Sequence, residues 1–95
     1  MTYVYIVETV RGGLYTGITD DIERRMDQHS GRMRGGARYV KANGFKKLLY
    51  LEALPTRGEA MKRENAIKRM SRDEKLEVIE SDKNTLKTGL VTLMR

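Results

Sequence analysis

The sequence predicts an α+β domain, a short three-stranded antiparallel sheet flanked by helices in the order β-β-α-β-α-α. Three observations predict it. A β-branched and aromatic segment at the N-terminus runs into Gly12-Gly13 and a second extended segment, the pattern of a hairpin. Two Ser/Thr-x-x-Glu boxes open apolar-periodic segments in the second half. Finally, 95 residues without a cysteine leave room for one domain with a thin core and no disulfide scaffold.

Thr2 to Val10 reads as the first strand. Alternation puts Tyr3, Tyr5 and Val7 on one face and Val4 and Ile6 on the other. Leu14 to Ile18 resumes extended character after the glycines. A helix then starts at Thr19 or Asp20. Asp20, Asp21 and Glu23 complement the positive end of its dipole, and Asp20 with Glu23 has capping-box spacing. Gly31 can stop it, and Ser30 to Tyr39 reads as a mobile basic loop. Leu48 to Leu51 forms the third strand, ended by Pro55. Thr56-Arg57-Gly58-Glu59 opens a helix to about Met70, and Ser71-Arg72-Asp73-Glu74 opens a short third one carrying Leu76, Val78 and Ile79. After Ser81 the signals weaken, with breaks at Asn84-Thr85 and Gly89 and a short apolar run from Leu90 to Met94 that can pair or pack. The expected division is therefore a main domain over 1–80 and a C-terminal extension over 81–95.

Composition removes several function classes. No cysteine means no thiolate metal site and no thiol catalysis, and a lone histidine excludes a multi-histidine cage. No run approaches the ~18 apolar residues a membrane span needs, and the N-terminus lacks a signal pattern, which predicts a cytoplasmic protein with no membrane partner. The net charge of +6 is localised. From Ile22 to Lys47 eight basic residues face two acidic ones, so this segment holds the whole excess and the rest is balanced. Arginines can grip phosphates with forked geometry, and a tyrosine can stack on a base. Arg24, Arg32, Arg34, Arg38, Lys41 and Tyr39 are thus candidate nucleic-acid contacts. A solvated loop is the plainer alternative, but the local clustering favours an anionic polymer.

Three placements look wrong for an ordinary core. Glu64 falls between Ala60 and Ile67 on the apolar stripe of its helix, where a carboxylate is costly unless it is paired, hydrogen-bonded or metal-bound. Reaching water from the edge of the stripe, or pairing with Lys68 at i+4, is the plainer alternative. Arg25 and His29, four apart, share one helix face; a lone histidine there is more often structural. Every aromatic lies in the first fifty residues, with Tyr3 and Tyr5 on one strand and Tyr15 on the next. Tyrosines with tethered hydroxyls are common in cores. A core alone does not predict the order in which these residues occur: strand tyrosine, Tyr-x-Gly, Arg-x-x-x-His, then a stripe glutamate.

In that order they resemble the GIY-YIG nuclease domain, and in particular its small stand-alone (YhbQ-like) branch, over Tyr3 to about Ser71. Tyr3-Val4-Tyr5 stands for the first triplet and Tyr15-Thr16-Gly17 for the second. Arg25 and His29 match the functional arginine and its partner on the following helix, and Glu64 matches the metal-binding glutamate. Tyr3 replaces a glycine and Thr16 an isoleucine. The basic residue that many members carry after the second triplet is absent, since the chain reads Ile18-Thr19. A downstream asparagine of several branches has no assigned counterpart.

The resemblance implies an endonuclease that hydrolyses phosphodiester bonds in DNA, structured or damaged DNA being candidate substrates in repair. It further implies one divalent cation, Mg²⁺ or Mn²⁺, on Glu64. Arg25 would neutralise the phosphate, and Tyr5, with Tyr15 alongside, would activate the attacking water. His29 would relay or orient, or act as the base itself. A catalytically silent nucleic-acid-binding module is the alternative, and a protein-interaction domain a poorer one. At this size, sequence specificity would be low or supplied by a protein partner.

Overall fold

A computed structural model describes residues 1–87 of the chain. Strands β1 (Thr2–Thr9), β2 (Leu14–Thr19) and β3 (Phe45–Leu54) form an antiparallel sheet in the order β2-β1-β3. Helices α1 (Ile22–His29), α3 (Arg57–Lys68) and α4 (Arg72–Glu80) complete the expected order, and one short helix, α2 (Arg38–Asn43), precedes β3. The fold is the expected one, with two revisions of detail. Tyr39 sits on a helix rather than at the end of a mobile loop, because α2 is held between Ala37 and the positive-φ Gly44, whose N–H bonds to the Val40 carbonyl. The third strand is also longer than its apolar centre, since β1 pairs along it from Phe45 to Leu54.

The central strand carries both cores. Tyr5 and Val7 pack on one face with Ile22 and Met26 of α1 and Val40 of α2; Val4 and Ile6 pack on the other with Ala60, Ile67 and Ile79 of α3 and α4. This is the alternation read from the sequence. Strand β3 departs from it through a bulge. Ile6 pairs with Tyr50 but Val7 with Leu48, so Leu49 is the extra residue, and Leu48 and Leu51 both reach the first core.

The helix starts follow their caps, with one correction. Asp21, not Asp20, caps α1 through its side chain to Arg24 N at 3.1 Å. Asp20 instead accepts from the Thr2 hydroxyl at 2.7 Å and pairs with Arg57 at 3.8 Å. Thr56 caps α3 through Glu59 N, and Ser71 with Glu74 forms a complete capping box on α4. Gly31, at φ +89°, follows the end of α1 as expected.

The sequence marks Asn84 only as a break, with no role assigned to it. Its buried side chain accepts from Leu51 N and Leu86 N and donates to the carbonyls of Leu49 and Ile79, pinning the chain after α4 against the β3 bulge. Thr85 adds a backbone bond to Leu51. The expected packing of Leu90 to Met94 lies outside the described residues. On the second core's edge, Tyr50 donates to Glu52 at 2.5 Å and Arg63 Nε bonds the same carboxylate oxygen at 2.9 Å, a satisfied polar network that ties α3 to β3.

Candidate active site

Tyr5 is fully buried at the middle of β1, paired with Gly17 on the edge strand β2. A Cβ at residue 17 would stand 2.5 Å from the Tyr5 hydroxyl oxygen, 2.7 Å from its Cζ and 3.1 Å from Tyr15 Cε2. The missing side chain is what lets the Tyr5 phenol lean across β2. There its hydroxyl meets His29 Nε2 at 2.9 Å.

His29 closes the last turn of α1 and is 4% exposed. Tyr15 presents edge-on to it at a centroid distance of 5.8 Å and lies tilted to Tyr5 at 6.3 Å. Phe45, the first residue of β3, stacks on it at 6.4 Å. Three rings from three strands therefore fix one imidazole. The histidine's Nδ1 is buried without a hydrogen-bond partner among the described residues.

Burial pushes the Tyr5 phenol up to about 12, against the charge and hydrogen bonding of Arg25; Tyr15 and the Glu64 carboxylate add to the rise. Burial and the Arg25 charge push His29 down to about 4. Both groups are therefore neutral at pH 7. With the phenol donating, Nε2 is the acceptor and the ring proton sits on Nδ1, a tautomer inferred from that single hydrogen bond.

Arg25 thus acts on Tyr5 and His29 together, and Glu64 acts on Tyr5 from α3. The structure brings Tyr5, Tyr15, Arg25, His29 and Glu64 into one neighbourhood at the β2 edge, where the two faces of the sheet meet. Glu64 is also paired with Lys68 at 3.1 Å, its side chain 16% exposed and the lysine's 50%. An i,i+4 pair whose lysine is half exposed is worth on the order of 0.5 kcal/mol, so the largely buried carboxylate stays open to a stronger cation. Among the described residues no group of three or more His, Asp or Glu side chains could hold a metal ion. The donor set is one carboxylate, which fits a hard cation that keeps waters and meets a substrate phosphate.

The candidate nucleic-acid residues distribute unevenly. Tyr39 stacks on Tyr15 at 6.2 Å with planes 20° apart, 44% exposed, so the α2 tyrosine extends the ring cluster to the surface. Its hydroxyl lies over Gly13, where a Cβ would stand 1.9 Å away. Arg34 and Lys41 line a cavity that His29 and Phe45 also line. Arg32 is held by Asp27 at 3.1 Å. Arg24 and Arg38 are exposed and form no ion pair among the described residues. The sequence names Gly17 within the second triplet but assigns it no role, and it passes over Phe45. Gly17 was legible from its place opposite Tyr5 once the hairpin register is drawn. Phe45 had no local signal, because its contact with His29 joins residues 16 apart in the chain.

Comparison with known proteins identifies the family. The family model of the GIY-YIG catalytic domain matches residues 1–77. A UPF0213 protein of Staphylococcus saprophyticus is 44% identical over 77 residues, covering 81% of this chain and 92% of that relative. A UPF0213 protein of Streptococcus agalactiae is 42% identical over 82 residues, covering 86% and 91%. The solution NMR structure of a UPF0213 protein from Bacillus halodurans superposes with a TM-score of 0.56 at 32% identity, covering 95% of each chain. By that match over most of its length and those relatives, the chain belongs to the GIY-YIG nuclease superfamily.

Proposed function

We propose that the protein is a metal-dependent endonuclease that hydrolyses phosphodiester bonds in DNA. The observation that carries this reading is the Tyr5 hydroxyl on His29 Nε2 at 2.9 Å, beside Arg25 and Glu64. A phenol pushed up to about 12 is not a standing phenolate at pH 7. It can still pass a proton. As water attacks phosphorus, the Tyr5 oxygen accepts the water's proton while its own moves along the existing hydrogen bond to His29 Nε2. His29 is the terminal acceptor in this scheme, and its low affinity for protons rises once an anionic phosphate lies beside it. Arg25 neutralises the charge that develops on the phosphoryl oxygens, and Tyr15 keeps the imidazole oriented. Glu64 would hold one divalent cation, Mg²⁺ or Mn²⁺, which polarises the phosphoryl oxygen and stabilises the leaving oxygen.

The test is incubation of the purified protein with labelled single-stranded, duplex and branched DNA, with Mg²⁺ or with chelator. Cleavage should vanish with chelator and in Glu64→Gln, whose fold should persist because the amide keeps the side chain's size and only the pair with half-exposed Lys68 is lost. Tyr5→Phe should lower the rate by roughly 10²–10⁴, the span typical of a removed proton-transfer group. Cutting that survives both chelator and Glu64→Gln would overturn the assignment. Salt-sensitive binding with no cutting of any substrate would establish the binding-module alternative instead.

A further inference from the structure

Next to the tyrosine–histidine cluster lies a cavity of about 550 Å³, within the size range of small-ligand sites. It is lined by the C-terminal end of α1, the Arg32–Arg34 loop, α2 and the start of β3. Its lining separates by chemistry. Met33 and Phe45 offer apolar and aromatic surface over the buried Val40 and His29, and Gln28 supplies an amide. Arg34 and Lys41 are exposed and bear no ion pair among the described residues. No carboxylate lines the cavity. A flat apolar surface with one amide and two uncommitted cations matches a nucleobase attached to a phosphate.

The cavity is also continuous with the cluster. His29 belongs to both, with Tyr5 on its Nε2 and Phe45 stacked on its ring. Consecutive residues of α2 divide between them: Tyr39 stacks on Tyr15, while Val40 and Lys41 line the cavity. A strand crossing Tyr15 and Tyr39 would therefore carry a neighbouring nucleotide to the cavity mouth.

We infer that this cavity is a single-nucleotide subsite, taking one unpaired base of the substrate strand against Phe45 and Met33 with its phosphate on Arg34 and Lys41. The inference deepens the nuclease reading and rests on it for the identity of the strand. Such a subsite selects nucleic acid with an unpaired nucleotide next to the cut, because a base held in a duplex cannot enter it.

Heteronuclear NMR titration of the full chain with deoxythymidine 5′-monophosphate tests it. Saturable amide shifts should cluster at residues 30–34 and 40–45, with smaller shifts for thymidine or inorganic phosphate alone. A short single-stranded oligonucleotide should shift the same amides and also those near Tyr15. The Arg34→Glu, Lys41→Glu double variant, altering two exposed side chains, should weaken mononucleotide binding by roughly tenfold or more, since a charge-assisted pair is replaced by repulsion. Shifts that are absent, scattered, centred on Tyr5 and Glu64, or unchanged in the double variant would overturn the inference. A cleavage assay separates the two ideas. If the mononucleotide binds but no DNA is cut, the subsite stands and the nuclease reading falls. If DNA is cut yet the mononucleotide does not bind there, the subsite alone falls.

Discussion

Gly17→Ala adds one methyl group at the point where the Tyr5 phenol crosses β2. The new Cβ would lie 2.5 Å from the hydroxyl oxygen and 2.7 Å from Cζ, closer than such atoms approach. Tyr5 has nowhere open to go. It is fully buried, and its hydroxyl is fixed on His29. Overpacking of this kind costs about 1–3 kcal/mol. Displacing the hydroxyl from Nε2 costs about 1 kcal/mol more, and the lower chain entropy of alanine returns about 0.4–1 kcal/mol. The net loss is on the order of 1–3 kcal/mol, which in a domain of this size lowers Tm by roughly 5–20 °C. Thermal unfolding followed by circular dichroism measures it, and cleavage should fall with it because the phenol leaves its partner. The same substitution in a Tyr5→Leu background should cost far less, since leucine has no ring atoms over residue 17. A Gly17→Ala protein that melts within about 2 °C of the parent would refute the reasoning. So would an equal penalty in the Tyr5→Leu background, which would place the cost in the strand backbone rather than in the phenol.

His29 gives a pH signature. Its folded pKa of about 4 lies below the unfolded value of 6.5, so the unfolded chain takes up a proton first as pH falls. Stability is then complete above 6.5, declines by up to about 1.4 kcal/mol per pH unit toward 4, and levels off below; urea unfolding of the parent against His29→Gln should show that slope in the parent only. Thr16 buries a hydroxyl with no partner among the described residues and is 3% exposed. Thr16→Val should therefore stabilise by about 1 kcal/mol, read as a rise in Tm, and a fall would show that the hydroxyl is satisfied. Asn84→Ala removes four hydrogen bonds at the β3 bulge and should cost about 3 kcal/mol or more in chemical denaturation. A loss below about 1 kcal/mol would mean that the segment after α4 is not coupled to the sheet.

The local signals in this chain were strong where they were periodic. Strand alternation assigned Val4 and Ile6 to one core and Tyr5 and Val7 to the other, and the Ser71 and Thr56 boxes marked two helix starts. They were weaker where two adjacent acids compete for one cap, as at Asp20 and Asp21, because either oxygen can reach a first-turn N–H and the pull of Thr2 and Arg57 on Asp20 is tertiary. Glu64 shows both sides at once. Its place on an apolar stripe was visible in the sequence, and the ordinary Lys68 partner is present; its influence on Tyr5 depends on α3 lying behind the edge strand.

The localised positive charge and the absence of thiol chemistry follow from composition and the order of the main elements from spacing, while the five candidate site residues follow from their order along the chain and the family it resembles; the sequence alone determined all of these. Only the tertiary structure decided how those residues are arranged. The hydrogen bond between Tyr5 and His29 joins positions 24 apart, and Phe45 reaches the same imidazole from a third strand. Burial in that ring cage keeps the phenol and the imidazole neutral at pH 7, joined by one hydrogen bond. Arg38 and Tyr39 likewise fall on a short helix, and the Arg32–Arg34 loop lines a cavity. Desolvation and packing depend on which surfaces face each other once the sheet has formed, and no spacing along the chain encodes that directly.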